Sequence, residues 1–137
     1  MTRGSRKLRG NGGSCLRDIL DCKRAEIELL GRRKRALERV AGGMGCPAAR
    51  DLAGMLSRRD VVPVIAEIKR RSPSSGLLDR VPDPGFRARR YEQGGASALS
   101  VLTDAHFFDG SLGDLVRARA CTSIPVLRKD FILDRLQ

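Results

Sequence analysis

The sequence contains no Trp, and aromatic residues make up only 4% of its 137 residues. Proteins that bind single-stranded nucleic acid stack bases on aromatic side chains, so this scarcity argues against such a surface. His106 is the only histidine and the four cysteines include no C-x-x-C pair, so we expect no metal site. We recognise no secretory leader and no apolar run long enough for a bilayer, so we expect a cytoplasmic protein without a membrane partner.

Acidic residues are few relative to basic ones. Lys and Arg total 27, Asp and Glu total 16, and the formal net charge is +11. Such a charge favours anionic partners, which include phosphorylated small molecules, acidic membranes and nucleic acids. One alternative function is therefore that of a basic nucleic-acid-binding protein. Much of the excess lies in residues 1–13, which we predict to be a disordered basic arm. Arg70, Arg71 and Arg128 are expected to face solvent.

Hydrophobic periodicity predicts two N-terminal helices, followed by strands that alternate with helices. Alternation at this spacing is typical of right-handed βαβ units and a parallel sheet, so the fold class is α/β. No G-x-G-x-x-G or P-loop motif is present, which removes support for a dinucleotide or ATP site. The predicted helices cover residues 15–41, 48–57, 83–93 and 112–121, and the predicted strands cover residues 62–69, 98–102 and 125–131.

Each predicted strand ends in polar residues. Glu67 and Lys69 interrupt the first apolar run two positions apart, so their side chains share one face of the strand. Buried charges need a partner or a task, and the carboxyl ends of parallel strands carry the active site in β/α folds. A purely structural ion pair is the alternative, since ion pairs also occupy clefts. The polar residues at the other two strand ends are Thr103, Asp104, Lys129 and Asp130.

Five segments are informative through their specific residue sequences, and not only through their hydrophobic periodicity. They are VIAEIKRRSPS at residues 64–74, YEQGGA at 91–96, SVLTD at 100–104, FFDGSL at 107–112 and VLRKDF at 126–131. In this order and register they resemble the first three strands and connecting segments of the indole-3-glycerol phosphate synthase family. The predicted N-terminal helix is similar to the extra helix that precedes the barrel in that family.

The resemblance implies a TIM (β/α)8 barrel, of which this chain is an N-terminal partial barrel. Residues 14–137 then supply extra N-terminal helices, three parallel strands and two crossover helices of one synthase domain. The implied activity is a carboxy-lyase reaction of tryptophan biosynthesis, in which 1-(2-carboxyphenylamino)-1-deoxyribulose 5-phosphate loses CO2 and water and closes to indole-3-glycerol phosphate. The implied partner is this phosphorylated small molecule, with no cofactor, no metal and no nucleic acid.

The resemblance also implies roles for single residues. Ring closure needs a proton donor at the substrate carbonyl, and Lys129 is the implied general acid. Lys69 is implied to bind the substrate carboxylate, while Glu67 holds Lys69 and contacts the substrate. Ser72 lies in the loop that closes over the site, and Phe108 lines the apolar pocket for the anthranilate ring. The alternatives are that Ser72 only terminates a strand and that Phe108 is a core residue.

The chain is short for the fold that it resembles. A complete (β/α)8 barrel takes about 250 residues, and these 137 residues supply three of its eight strands. Three parallel strands leave unpaired edges and an uncovered barrel-facing side, so we expect the partial barrel to be marginally stable or to associate with copies of itself. We assign the synthase function to the chain as the N-terminal part of such an enzyme and expect the isolated 137 residues to be inactive. The alternative function is that of an inactive truncated fragment, or of a half-barrel that needs a complementary chain.

Overall fold

The computed structural model describes residues 15–43, 47–78 and 83–137. The predicted basic arm at residues 1–13 and its boundary with the synthase domain lie outside these ranges and stay predictions. No helix in the described ranges has both the length and the apolar character of a membrane span. The chain divides into two compact units, the first comprising the described residues up to Glu38 together with Phe131–Gln137, and the second Arg39–Asp130.

The N-terminal helical segment consists of two helices. Helix α1 spans Cys15–Gly31 and helix α2 spans Lys34–Gly43, so the prediction of one continuous helix over residues 15–41 is wrong in its middle. Gly31 ends the first helix because glycine loses more backbone entropy in a helix than other residues, at a cost of about 1 kcal/mol relative to Ala. The second helix ends at Gly43, two residues after the predicted end at residue 41.

The second unit alternates strands and helices, as predicted. Strand β4 (Ala98–Leu102) matches its prediction residue for residue, whereas the strands at Ile65–Ile68 and Val126–Lys129 are shorter than predicted. Helix α3 begins later than predicted because Asp51 accepts a hydrogen bond from the Gly54 N–H (2.8 Å) and caps the helix there. In chain order the elements are α3 Leu52–Leu56, β1 Ile65–Ile68, β2 Arg71–Ser72, β3 Gly76–Leu77, α4 Pro84–Gln93, β4 Ala98–Leu102, α5 Ala105–Phe108, α6 Leu112–Ala120 and β5 Val126–Lys129.

Strands β1, β4 and β5 form a parallel sheet with β4 in the centre. Helix α4 connects β1 to β4, and helix α6 connects β4 to β5, as in βαβ units. In the register of the sheet, Glu67 lies opposite Ser100, and Ser100 lies opposite Leu127. Residues in one row point to the same face, so the register determines which side chains share a surface.

The two faces of the sheet have different environments. One face packs against α4 and α6, and its core consists of Ile68, Ala88, Leu99, Val101 and Ala118. The other face, here called the open face, carries Glu67 and has exposed apolar residues on its outer strands, Ile65 by 45% and Leu127 by 41%. Apolar burial stabilises by about 25 cal/mol per Å², so this core stabilises the packing of the sheet against the two helices.

Two predicted loops contain short regular elements. The loop after β1 holds the β2–β3 hairpin, in which Arg71 pairs with Leu77 and Ser72 pairs with Gly76. Gly76 has a φ of +68°, a conformation that residues with a Cβ rarely adopt. The loop after β4 holds the one-turn helix α5. Elements this short have no hydrophobic period, so periodicity gives no signal for them.

Side-chain caps determine where the two crossover helices start. At α4, Asp83 accepts hydrogen bonds from two amides of the first turn, including that of Gly85 (3.0 Å). Desolvation raises the pKa of Asp83, but hydrogen bonds from Arg117 and from these amides outweigh it and leave this pKa below its usual value. At α6, the Ser111 hydroxyl accepts from the Asp114 N–H (3.0 Å) and caps the helix.

Candidate active site

An ion pair lies at the carboxyl end of β1. Lys69 Nζ is 2.7 Å from Glu67 Oε1, and the two side chains are 32% and 35% exposed. Glu67 points to the open face, and Lys69, two residues later, shares that face. An ion pair with this much exposure contributes only about 0.2–1 kcal/mol to folding stability. Stability alone therefore gives little reason for the pair, which favours a role in binding a ligand.

Lys129 ends β5 on the other side of the central strand. It lies opposite Leu102 in the register, and continuing the β1 register by one residue places Lys69 opposite Leu102 as well. Neighbouring strands are about 4.8 Å apart, so the Cα atoms of the two lysines are about 10 Å apart. The Lys129 side chain is exposed, and its ammonium is therefore accessible to a ligand on the open face.

Ser72 lies in the hairpin that follows β1. The residue is buried (9% exposed), and its hydroxyl accepts a hydrogen bond from the Ser75 N–H (3.0 Å). The Leu78 N–H donates to the Arg70 carbonyl (2.7 Å) and closes the base of the hairpin. Ser72 thus orders this loop, and a contact between its hydroxyl and a substrate stays a prediction.

Phe108 is the last residue of the one-turn helix α5. The helix is capped by Asp104, which is 1% exposed and accepts a hydrogen bond from an α5 amide through Oδ1 (2.7 Å). Gly110 donates its N–H to the Asp104 carbonyl (2.9 Å), and a Cβ at this glycine would overlap the Leu102 carbonyl group. Helix α5 contacts strand β2. The half-buried Phe108 and the buried Ser72 therefore lie on neighbouring elements.

Two of the arginines that were expected to face solvent have partners instead. The Arg70 guanidinium lies 2.7 Å from Asp114 Oδ1, and these side chains are 28% and 15% exposed. The Arg128 guanidinium, also 28% exposed, lies 3.2 Å from Asp130 Oδ2. The prediction is therefore wrong for these two residues, and Arg71 alone is exposed as expected. The reason is that the Arg70 partner is 44 residues away and leaves no local signal.

A polar cluster beside Lys129, formed by Thr103, Arg128 and Asp130, is missing from the site that the sequence predicts. The Thr103 hydroxyl donates to Asp130 Oδ2 (2.8 Å) and accepts from Arg128 Nε (3.1 Å). The Thr103 N–H donates to the Lys129 carbonyl (3.0 Å). The available signal is that Thr103 and Asp130 each follow directly on the end of a strand, where β/α folds place functional polar groups.

Two ammonium groups and one carboxylate thus lie on the open face at the carboxyl ends of parallel strands. Two positive charges against one negative charge suit an anionic ligand, and a lysine ammonium is a proton donor. Within the described ranges, no group of three or more His, Cys, Asp or Glu side chains is arranged to hold a metal ion. Parallel strands joined by crossover helices, with charged side chains at their carboxyl ends, define a β/α-barrel type of domain.

Comparison with known proteins gives the family. The profile described as indole-3-glycerol phosphate synthase matches residues 16–137, which is nearly the whole chain. The chain belongs to the indole-3-glycerol phosphate synthase family. The predicted family is therefore confirmed.

Curated relatives with this name cover the chain well but extend beyond it. The relative from Rhodopirellula baltica is 49% identical over 102 residues, which are 74% of this chain and 39% of the relative. The relative from Micrococcus luteus is 46% identical over 131 residues, which are 90% of this chain and 48% of the relative. The chain thus spans less than half the length of these relatives. The predicted fold class is confirmed: the described parallel strands and crossover helices are part of a TIM barrel and do not form a closed one.

Proposed function

We propose that this chain acts, as the N-terminal portion of an indole-3-glycerol phosphate synthase, in a carboxy-lyase reaction of tryptophan biosynthesis. The substrate, 1-(2-carboxyphenylamino)-1-deoxyribulose 5-phosphate, loses CO2 and water and closes to indole-3-glycerol phosphate. The strongest support is the Lys69–Glu67 ion pair, which lies at the same level of the sheet as Lys129. The family match supports the reaction type.

Lys69 binds the substrate carboxylate and orients the anthranilate ring. The Lys69 ammonium is already held by Glu67 at 2.7 Å, so less side-chain freedom is lost when the substrate binds. Both side chains are about one-third exposed, and a ligand carboxylate therefore reaches the ammonium without opening the core. Glu67 holds Lys69 in place and contacts the substrate.

Lys129 donates a proton to the substrate carbonyl as the ring closes. Protonation makes the carbonyl carbon more electrophilic and allows its oxygen to leave as water. The separation of about 10 Å between the Cα atoms of Lys69 and Lys129 supports this division of roles. A substrate that spans the open face then meets one lysine with its carboxylate and the other with its carbonyl. Transfer of a proton by a positioned acid typically accelerates a reaction by about 10²–10⁴-fold.

Ser72 and Phe108 complete the pocket around the ring. Phe108 is half-buried on α5, and an aromatic side chain offers a flat apolar surface to an aromatic ring. Ser72 orders the neighbouring loop through its hydrogen bond with the Ser75 N–H (3.0 Å). The contact between α5 and β2 supports a pocket that draws on both elements.

A fluorescence assay for indole-3-glycerol phosphate tests this proposal. The purified chain is compared with K129A and with the control K34A, which removes an exposed lysine from α2. A wild type without turnover tests the activity of this chain and not the role of Lys129. Where the wild type turns over, we expect the same turnover in K34A and turnover at least about 100-fold lower in K129A. Equal turnover in K129A and K34A would refute the role of Lys129.

The exposed side of the sheet supports a second candidate, a half-barrel that is active only with a complementary chain. Strands β1 and β5 are the outer strands of the described sheet, and Ile65 and Leu127 are exposed on its open face. Outer strands and exposed apolar residues favour association with further strands. The test is to add the remaining segment of the Micrococcus luteus relative as a separate chain. Turnover that appears only on mixing supports the half-barrel, and turnover of the chain alone excludes it.

A further inference from the structure

Thr103 is bonded to each of the three residues in the segment 128–130. Its N–H donates to the Lys129 carbonyl (3.0 Å), its hydroxyl donates to Asp130 Oδ2 (2.8 Å), and the same hydroxyl accepts from Arg128 Nε (3.1 Å). The Arg128 guanidinium also donates to Asp130 Oδ2 (3.2 Å), which closes a ring of three side chains. One residue at the end of β4 therefore holds both neighbours of Lys129 and the Lys129 backbone.

The burial of this ring makes its geometry firm. The Asp130 side chain is 2% exposed and Thr103 is 7% exposed. A buried carboxylate that loses a hydrogen-bond donor is strongly destabilised, so the ring resists rearrangement. Arg128 lies in the row of Val101, on the helix-covered face. The alternation of side chains along a strand then directs Lys129 to the open face.

We propose that Thr103 is the positioning residue of Lys129, a role that rests on Lys129 being the general acid of the proposed function. Thr103 fixes the point and the direction from which the Lys129 side chain leaves the sheet. A lysine side chain has many rotamers, so a fixed origin limits the volume that its ammonium explores. A displacement of a catalytic group by about 1 Å lowers a rate by up to about 100-fold, so the position of this backbone matters for the reaction.

Four variants of the full chain separate positioning from general stability. T103V keeps the side-chain shape and the N–H bond but removes the hydroxyl, and T103S restores the hydroxyl. T122V is the matched control, because Thr122 is also buried (8% exposed) and donates its hydroxyl to the Ala118 carbonyl (3.2 Å) in α6. R128K keeps the charge and removes the Nε donor, and it replaces T103V in every measurement if T103V does not fold.

The first readouts need no turnover. Amide hydrogen exchange at residue 103 reports its bond to the Lys129 carbonyl, and exchange at Leu99, whose N–H donates to the Pro125 carbonyl (2.9 Å), is the reference in the same pair of strands. We expect T103V to speed exchange at residue 103 by about 10-fold relative to Leu99. We also expect a several-fold lower yield of the Lys69–Lys129 cross-link formed by a short amine-reactive linker. T103S and T122V should match the wild type in both measurements.

The second readout is turnover, and it separates failure of this proposal from failure of the proposed function. We expect T103V to lower kcat by about 10- to 100-fold with little change in KM, and T103S to restore it. A wild type without turnover counts against the proposed activity of the chain, while exchange and cross-linking still decide the role of Thr103. Equal acceleration at residues 103 and 99, or an unchanged cross-link yield in T103V, would overturn the positioning role.

Discussion

The Arg70–Asp114 ion pair offers a quantitative test of how the loop after β1 is held. Arg70 directly follows Lys69, and its guanidinium lies 2.7 Å from Asp114 Oδ1 in the first turn of α6. A negative charge at this end of a helix is also stabilised by the helix dipole. R70M removes the cation of the pair, whereas D114N removes the pair and the dipole interaction. A double-mutant cycle is therefore needed to isolate the pair.

The burial of the two side chains sets the expected magnitude. They are 28% and 15% exposed. Exposed pairs contribute about 0.2–1 kcal/mol, and breaking a buried pair costs about 3–5 kcal/mol. We therefore expect a coupling free energy of roughly 1–2 kcal/mol, between these limits. Arg24 and Asp21 form a control pair at the same 2.7 Å but with 66% and 61% exposure, for which we expect less than about 0.5 kcal/mol.

Urea unfolding followed by far-ultraviolet circular dichroism measures both cycles. The Arg70 cycle uses the wild type, R70M, D114N and the double variant, and the control cycle uses R24M, D21N and their double variant. Added salt should reduce the control coupling more than the Arg70 coupling, because exposed charges are screened more strongly. A coupling free energy in the Arg70 cycle no larger than in the control would refute the inference that this partly buried pair anchors the loop.

Three further substitutions test the core, a turn and an acidic side chain. L99A removes a side chain that is 0% exposed and should lower the free energy of unfolding by about 2–5 kcal/mol in urea, whereas V116A, at a residue 67% exposed, should change it by less than about 0.5 kcal/mol. G110A places a Cβ against the carbonyl end of β4, so we expect lower stability in the same assay, and wild-type stability would contradict the close approach. Hydrogen bonds from Ser123 lower the pKa of Glu92 below its usual 4.5, and the bond from the Ser123 hydroxyl has the largest effect. Its carboxylate therefore stabilises the fold above pH 4.5, and this contribution is lost as the pH falls through the lowered pKa. E92Q should lose less stability than the wild type between about pH 5 and about pH 3, and equal losses would argue against this linkage.

Elements with a strong local signal are predicted to within a residue. Strand β4 is apolar except for the buried Ser100, and its structure coincides with the predicted residues 98–102. Helix α6 begins at the predicted residue 112, directly after its cap Ser111, and helix α4 begins at Pro84, one residue after its predicted start. A central strand is apolar on both faces and a cap bonds within three residues, so both signals are contained in short stretches of sequence.

Features that depend on distant residues are not predictable in this way. Arg70 binds Asp114, 44 residues away, and Arg128 binds Thr103, 25 residues away, in addition to the nearby Asp130. The distant partners leave no local signal, so the sequence predicts solvent exposure for both arginines. The candidate site likewise contains residues that local sequence places and residues that only strand pairing places. Glu67 and Lys69 are two positions apart, and the strand period alone places them on one face. The contacts of Thr103 exist only once β4 and β5 are paired, so the sequence predicts a polar strand end there but not its partners.

The sheet separates the residues that stabilise the fold from those proposed to act on the substrate. Along β4, Leu99 and Val101 point into the core beneath α4 and α6, while the alternate positions belong to the open face that carries Glu67. L99A should therefore change the free energy of unfolding, whereas K129A should change turnover with little effect on stability. Thr103 lies just beyond β4, where the alternation ends. Its N–H continues the hydrogen bonding between strands and its hydroxyl enters a buried polar ring. From that position, Thr103 bonds both to the buried Asp130 and to the backbone of Lys129, and so fixes the direction in which the exposed Lys129 side chain points.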